Sequence, residues 1–165
     1  MAIFRKQLQE LQTFVSEMQA TSSSLDKVEI LKLQSPFIKK ILDYTYNPYK
    51  QYNVTSKTIK KNPGLHKIGY LDLFYLLDSL NKRTITGHEA IAHINGFTAR
   101  RDGLTDRETE LVYCIIDKDL KIRTGAKVIN KAFPGLIPEF NVALAKEYDG
   151  KCNWDDTWYA SRKLD

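Results

Sequence analysis

Ala2-Ile3-Phe4-Arg5-Lys6-Gln7-Leu8-Gln9-Glu10-Leu11-Gln12-Thr13-Phe14-Val15-Ser16-Glu17-Met18 opens the chain with apolar residues at steps of three and four. Ile3, Phe4, Leu8, Leu11, Phe14, Val15 and Met18 therefore share one stripe of an amphipathic helix. The run Thr21-Ser22-Ser23-Ser24 breaks it, and Ser24 or Asp26 is placed to cap a second helix over about 27–33. Ser35-Pro36 has the N-cap and first-turn signature of a third, carrying Phe37, Ile38, Ile41, Leu42 and Tyr44. Helix resumes near Tyr70, where Leu71, Leu73, Phe74, Leu76, Leu77 and Leu80 predict an almost fully buried segment. Three further helical elements are expected at about 87–94, 106–120 and 125–132. The middle one starts at a capping box, Thr105-Asp106-Arg107-Glu108. Pro134-Gly135-Leu136-Ile137-Pro138 then stops regular structure. A last turn is expected over 143–148 and a polar linker at Asp149-Gly150-Lys151. Only the tail, Thr157-Trp158-Tyr159-Ala160-Ser161-Arg162-Lys163, has strand-like composition, so the fold class read here is all-α.

A hydrophobic fraction of 42% over 165 residues is enough to bury a core, which argues against disorder. Lys plus Arg number 25 against 20 Asp plus Glu, a formal charge of +5 that favours an anionic partner, nucleic acid first. The plain alternative is solubility, for which such a charge is ordinary. Cys114 and Cys152 have no metal-type spacing. Cys114, between Tyr113 and Ile115, reads as a buried helical thiol in a reducing compartment. No signal peptide or membrane span is visible, and a soluble, cytoplasmic, monomeric protein is expected.

From Tyr44 to Lys67 the periodicity dissolves, and Lys50, Lys57, Lys60 and Lys61 interleave with Tyr46, Tyr49 and Tyr52. Such a stretch could stack on exposed bases. The favoured reading is a solvated loop whose tyrosines cover the helices beneath. His88 and His93 are five apart, not the four that would align them on a helix face, and His66 has no partner in sequence, so no metal site is expected. Asp117 and Asp119 are expected on different sides of a helix and form no acid–base couple.

Two stretches echo each other. Thr86-Gly87-His88-Glu89-Ala90-Ile91, preceded by Arg83, parallels Thr124-Gly125-Ala126-Lys127-Val128-Ile129, preceded by Lys121 and Arg123. A Thr-Gly step at a helix start offers free backbone N–H groups with a hydroxyl beside them, and glycine lets an anion's backbone come close. Taken singly, each site is better explained as a good N-cap between packed helices. Two copies, each preceded by cations, point to phosphate contact without base reading.

Asp119-Leu120-Lys121-Ile122-Arg123-Thr124-Gly125-Ala126, followed by Ala132-Phe133-Pro134-Gly135-Leu136-Ile137-Pro138, resembles the N-terminal DNA-binding domain of bacteriophage ATP-dependent DNA ligases. Lys82-Arg83-Thr84-Ile85-Thr86-Gly87, with Ala90-Ile91, is similar to the same domain, and the resemblance runs from about 62 to 165. Lys163-Leu164-Asp165 matches the start of the Lys-x-Asp-Gly motif of covalent nucleotidyltransferases. Three such residues are common by chance, and their place on a strand-like tail after Pro138 gives them weight.

The resemblance implies a helical DNA-binding domain over 1–148, a linker over 149–156, and over 157–165 the first strand of a truncated adenylation domain. It implies nicked double-stranded DNA as partner, with ATP and Mg²⁺ as cofactors of the whole enzyme. Lys163 would take AMP from ATP as a phosphoramide, and the AMP would pass to the 5′-phosphate of a nick before the strand is sealed. Asp165 would help shape the pocket. The expected DNA contacts are Arg83, Thr86, Gly87, Lys121, Arg123, Thr124, Gly125 and Lys127, with Asn130 and Lys131 further along the same helix. The 165 residues alone, without the motif's glycine and later strands, are expected to be inactive. Trp154 and Trp158 are expected to pack where the two domains meet. Two alternatives stay open: a stand-alone helical DNA-binding or scaffold protein, and an RNA ligase-type nucleotidyltransferase fragment.

Overall fold

The computed structural model of the chain describes residues 2–99, 104–139, 155 and 157. Among these residues there are eight helices and no strand, the all-α class predicted from the apolar spacing. The strand-like tail, its linker, the 143–148 turn, Cys152 and both tryptophans lie outside the described residues or span them only at 155 and 157.

Helix α1 (Ala2–Ala20) buries the stripe its sequence draws: Leu8, Leu11, Phe14 and Met18 are all within 1% of full burial. Each such side chain contributes about 1.5–3 kcal/mol by leaving water. Helix α2 (Ser24–Lys32) starts at a cap one residue earlier than expected, because the Ser23 hydroxyl accepts the Asp26 N–H at 3.3 Å. Helix α3 (Pro36–Tyr46) keeps its predicted start, with Ser35 accepting from the Ile38 N–H and Pro36 in the first turn.

The stretch expected to be a loop from 44 to 67 contains a further helix, α4 (Ser56–Lys60). Its capping box joins Thr55 to Thr58, a pair without the Glu or Gln that usually announces one. Helix α5 (Leu73–Asn81) begins three residues later than expected, since the Asp72 carboxylate accepts the Tyr75 N–H at 2.9 Å and sets the start there. Leu71, expected in the buried run, is consequently 79% exposed.

Helix α6 (Gly87–Thr98) continues past the expected end at 94, since Phe97 and Thr98 still face the core. Helix α7 (Asp106–Ile116) has the predicted capping box between Thr105 and Glu108 but ends four residues early. Leu120 nevertheless reaches the core from the turn that follows. Asp117 and Asp119 therefore lie beyond the helix rather than on two of its sides. Helix α8 (Ala126–Ala132) ends before Pro134, as read from the sequence.

Helix α2 packs most extensively against α8, α7 lies against α1 and α3, and α4 bridges α6 and α7. All eight helices serve one continuous core, to which the turns contribute Ile85, Leu120, Ile122 and Ile137. These apolar anchors tie the two turns of the candidate site to the core.

Candidate nucleic-acid interface

The first turn joins α5 to α6. Lys82 ends α5, and Arg83 takes a left-handed backbone at φ +58° while the Thr84 N–H closes back onto the Ser79 carbonyl at 3.0 Å. That arrangement is a Schellman closure, which ordinarily favours glycine where Arg83 stands. Ile85 is buried and pins the turn. Thr86 is the N-cap of α6, yet its hydroxyl caps no N–H of the helix. Gly87 follows at φ +54°, a value that suits a residue without Cβ, and a Cβ there would meet nothing within 4 Å. Arg83, Thr86 and Gly87 are all exposed.

The second turn joins α7 to α8 and is built on the same closure. Lys118 is left-handed at φ +64°, and the Asp119 N–H reaches the Cys114 carbonyl at 2.9 Å. The chain then dips: Leu120 and Ile122 are buried, while Lys121 and Arg123 are exposed. Both exposed cations also have left-handed backbones, at φ +58° and +52°. Left-handed geometry costs an ordinary residue about 1–2 kcal/mol. Four of the five non-glycine residues that adopt it among the described residues are basic and lie in these two turns. Concentrated strain of this kind is typical of functional sites.

The Thr-Gly echo is offset by one residue in space. Gly125, not Thr124, is the N-cap of α8, and its φ of −111° is open to any residue. A Cβ at Gly125 would meet nothing within 4 Å, so its glycine leaves free surface rather than permitting a turn. With only seven residues in α8, the cations carry the attraction of this turn more than a helix dipole does.

Lys121 and Arg123 are brought together with Gln19 and Asp119 around one hollow. The Asp119 carboxylate is occupied by the Lys121 N–H at 2.7 Å. Lys127 is exposed and lines a separate hollow with Tyr46, Pro48 and Pro138. Thr124 is half-buried and Lys131 exposed. Asn130 is used differently: its side chain donates to the Ile137 carbonyl at 2.8 Å and accepts the Ile137 N–H at 2.9 Å, which clamps the 134–138 segment against α8. No hydrogen bond or ion pair among the described residues joins the 83–87 turn to the 121–127 turn.

None of Arg83, Lys121, Arg123, Lys127 and Lys131 forms an ion pair among the described residues, whereas Lys50, Lys60 and Lys67 pair with Asp43, Glu110 and Glu89. Lys118 is the inward-facing exception within the second turn. Its ammonium donates to the carbonyls of Tyr44 at 3.0 Å and Asn47 at 2.8 Å, and burial lowers its pKa to about 8. The helix-capping signals in the sequence did not single out Gln19 or Lys27, both of which touch this turn. A cation sharing α2's buried side with Val28 and Leu31 was the available signal for Lys27.

Cys114 is half-buried, with its thiol pKa raised by that burial. His93 is buried, and burial lowers its pKa. Among the described residues no three or more His, Cys, Asp or Glu side chains form a cluster able to hold a metal ion. No described helix is long and apolar enough to cross a membrane. Lys163 and Asp165 lie outside the described residues.

The described residues thus define an all-helical module whose strained helix-to-helix turns present cations that form no ion pair among those residues. No family model matches the chain. It is 30% identical over 143 residues to the DNA ligase of Enterobacteria phage T4, an alignment covering 83% of this chain and 28% of that protein. The DNA ligase of Enterobacteria phage T6 matches with the same identity and coverage. The chain is related to phage-type DNA ligases, and it spans well under a third of the length of the curated relatives it matches.

Proposed function

We propose that this chain holds nicked duplex DNA by its phosphate backbone, as the DNA-binding part of an ATP-dependent ligase of the phage type. The observation that carries this reading is a group of exposed cations on the two turns that form no ion pair among the described residues: Arg83 on one, and Lys121, Arg123 and Lys127 on and just beyond the other. Thr86, Gly87, Thr124 and Gly125 stand beside them with little side chain to keep a phosphate away, and Lys131 extends the cationic edge along α8. Contacts of this kind position a duplex without reading its sequence. Asn130 then acts by holding the 134–138 segment rather than by meeting DNA.

The same reading assigns residues 1–148 to DNA binding, 149–156 to a linker and 157–165 to the start of a nucleotidyltransferase domain. Lys163 is proposed as the lysine that carries AMP, with Asp165 beside it in the motif, and ATP and Mg²⁺ as the co-substrates of the whole enzyme. The relatedness to phage DNA ligases supports these assignments.

The test is fluorescence anisotropy of the chain with nicked, intact and single-stranded DNA across a salt series. Salt-sensitive binding to duplex is expected, with little dependence on sequence. It should weaken by about one to two orders of magnitude when Lys121, Arg123 and Lys127 are changed together to Ala. Absence of duplex binding at low salt, or binding indifferent to that triple substitution, overturns the assignment of this surface.

A further inference from the structure

Lys27 has no place in the reading above, yet its position in the structure is unusual. It is a lysine only 4% exposed, in the middle of α2, and it forms no ion pair among the described residues. A buried ammonium without a carboxylate is costly unless other acceptors replace water. Here the acceptors are two consecutive main-chain carbonyls 95 and 96 residues away: Ile122 at 3.0 Å and Arg123 at 2.9 Å. The carboxamide of Gln19, near the end of α1, donates to the preceding carbonyl, that of Lys121, at 3.3 Å. Three successive carbonyls of the turn are therefore each held by a side chain from α1 or α2.

These carbonyls belong to the segment in which Lys121 and Arg123 adopt left-handed backbones. Such conformations persist only where the surroundings over-determine them. The buried Ile122 side chain fixes the middle of the segment, and Lys27 fixes the peptide groups around it. Released, both flanking residues would relax to ordinary right-handed or extended geometry, and both cations would swing away. The grip has a second effect. A carbonyl oxygen facing a phosphate repels it, and all three oxygens of this segment already accept from protein donors.

We infer that Lys27 is a positioning residue for the DNA-binding turn: its buried ammonium, bonded to the Ile122 and Arg123 carbonyls, sets Lys121 and Arg123 in the geometry that receives phosphates. The inference rests on the proposed DNA-binding role of that turn. Lys27 does not itself touch DNA, so its removal deletes no contact charge directly.

The experiment is a coupling cycle on the 165-residue chain, with anisotropy on nicked duplex read at several salt concentrations. K121A/R123A is expected to weaken binding about tenfold and to lower the log–log salt slope by about two. K27M is expected to do nearly the same, although it removes one buried charge and no exposed one. Added to K121A/R123A, it should change nothing more. K27R, which keeps a cation and its donors, should recover most of the slope. If K121A/R123A weakens binding while K27M leaves the slope intact, or if the two losses simply add, Lys27 does not act through the turn. If K121A/R123A itself has no effect, the DNA-binding reading of the turn has failed, and the positioning role falls with it. Should circular dichroism show K27M unfolded, Q19A carries the same test, because Gln19 is exposed. A two- to threefold loss that vanishes in the K121A/R123A background supports the grip. An equal loss in both backgrounds, or none, overturns it.

Discussion

Two regions of this chain bring several lysines together in sequence, yet the structure engages their cations to different degrees. In the basic, aromatic stretch after α3, Lys50 and Lys60 are tied to Asp43 and Glu110, and Lys50 also lies 3.6 Å from the centre of the Tyr44 ring. Tyr52 is buried there, its hydroxyl donating at 2.7 Å to the carbonyl of Tyr44 in α3, and of the interleaved tyrosines only Tyr49 stands well out. The turn from Lys121 to Lys127 has Ile122 in the core, and its cations form no ion pair among the described residues. What separates the two regions is not the number of charges but whether carboxylates and rings stand close enough to engage them. Lys50 and Lys60, satisfied within the protein, have little left to offer a partner, whereas Lys57 and Lys61 of the same stretch are exposed and form no ion pair among the described residues.

Neutralising each region in turn, with duplex binding read by anisotropy, separates their roles. K121A/R123A/K127A is expected to weaken binding by one to two orders of magnitude and to reduce the salt slope by about three, because each phosphate contact contributes about 0.9 to that slope. K50A/K60A should change the affinity by no more than about twofold, those cations being already paired. A larger effect from the second variant would reverse the roles assigned here.

Stability is expected to respond the other way round. Y52F removes the hydroxyl bonded to the Tyr44 carbonyl and should cost about 1 kcal/mol in urea denaturation, with duplex binding unchanged. T55A breaks the capping box of α4 and should cost about 1 kcal/mol, again without effect on binding. A binding loss from either would show that the aromatic stretch also takes part in recognition.

The two glycines sharpen the contrast between the turns themselves. G87A should destabilise the chain by about 1–2 kcal/mol, because its φ of +54° is left-handed, not because space is short. G125A should leave the melting temperature nearly unchanged, since φ −111° suits alanine, and should weaken duplex binding if the DNA backbone passes close by.

The smallest effect expected is in pH dependence. The lowered pKa of Lys118, about 8 against a usual 10.5, means that the unfolded chain binds more protons between those values. Stability should therefore rise slightly as pH increases through that window, and K118M should flatten the rise. Tyr44, Tyr46 and Tyr52 act oppositely. Burial, chiefly, raises each of them above the usual 10, so their contribution is complete below pH 10 and is lost as pH climbs further. Thermal melts from pH 7 to 11 should show a shallow maximum at about pH 10, where the two windows meet.

Much of this was legible along the chain because it depends on neighbours in sequence. The α1 stripe from Leu8 to Met18, the Ser35-Pro36 start and the Thr105–Glu108 box all use contacts within four residues. The paired Thr-Gly echo and its preceding cations were visible for the same reason, and most of those residues are exposed where the reading required it. Helix ends were less legible. The Asp72 cap displaced the start of α5, and the Thr55–Thr58 box opened α4 inside a stretch with no apolar period.

By itself the sequence determined the all-helical class, the core stripes, the chain's excess of positive charge and the two candidate turns, since periodicity, capping and composition are local properties. Tertiary structure alone decided which cations remain available. Lys60 meets Glu110 across 50 residues, Lys118 turns inward to α3, and Lys27 reaches 95 residues to hold the turn it supports. Pairings over such separations depend on how the helices pack, and no spacing along the chain encodes them.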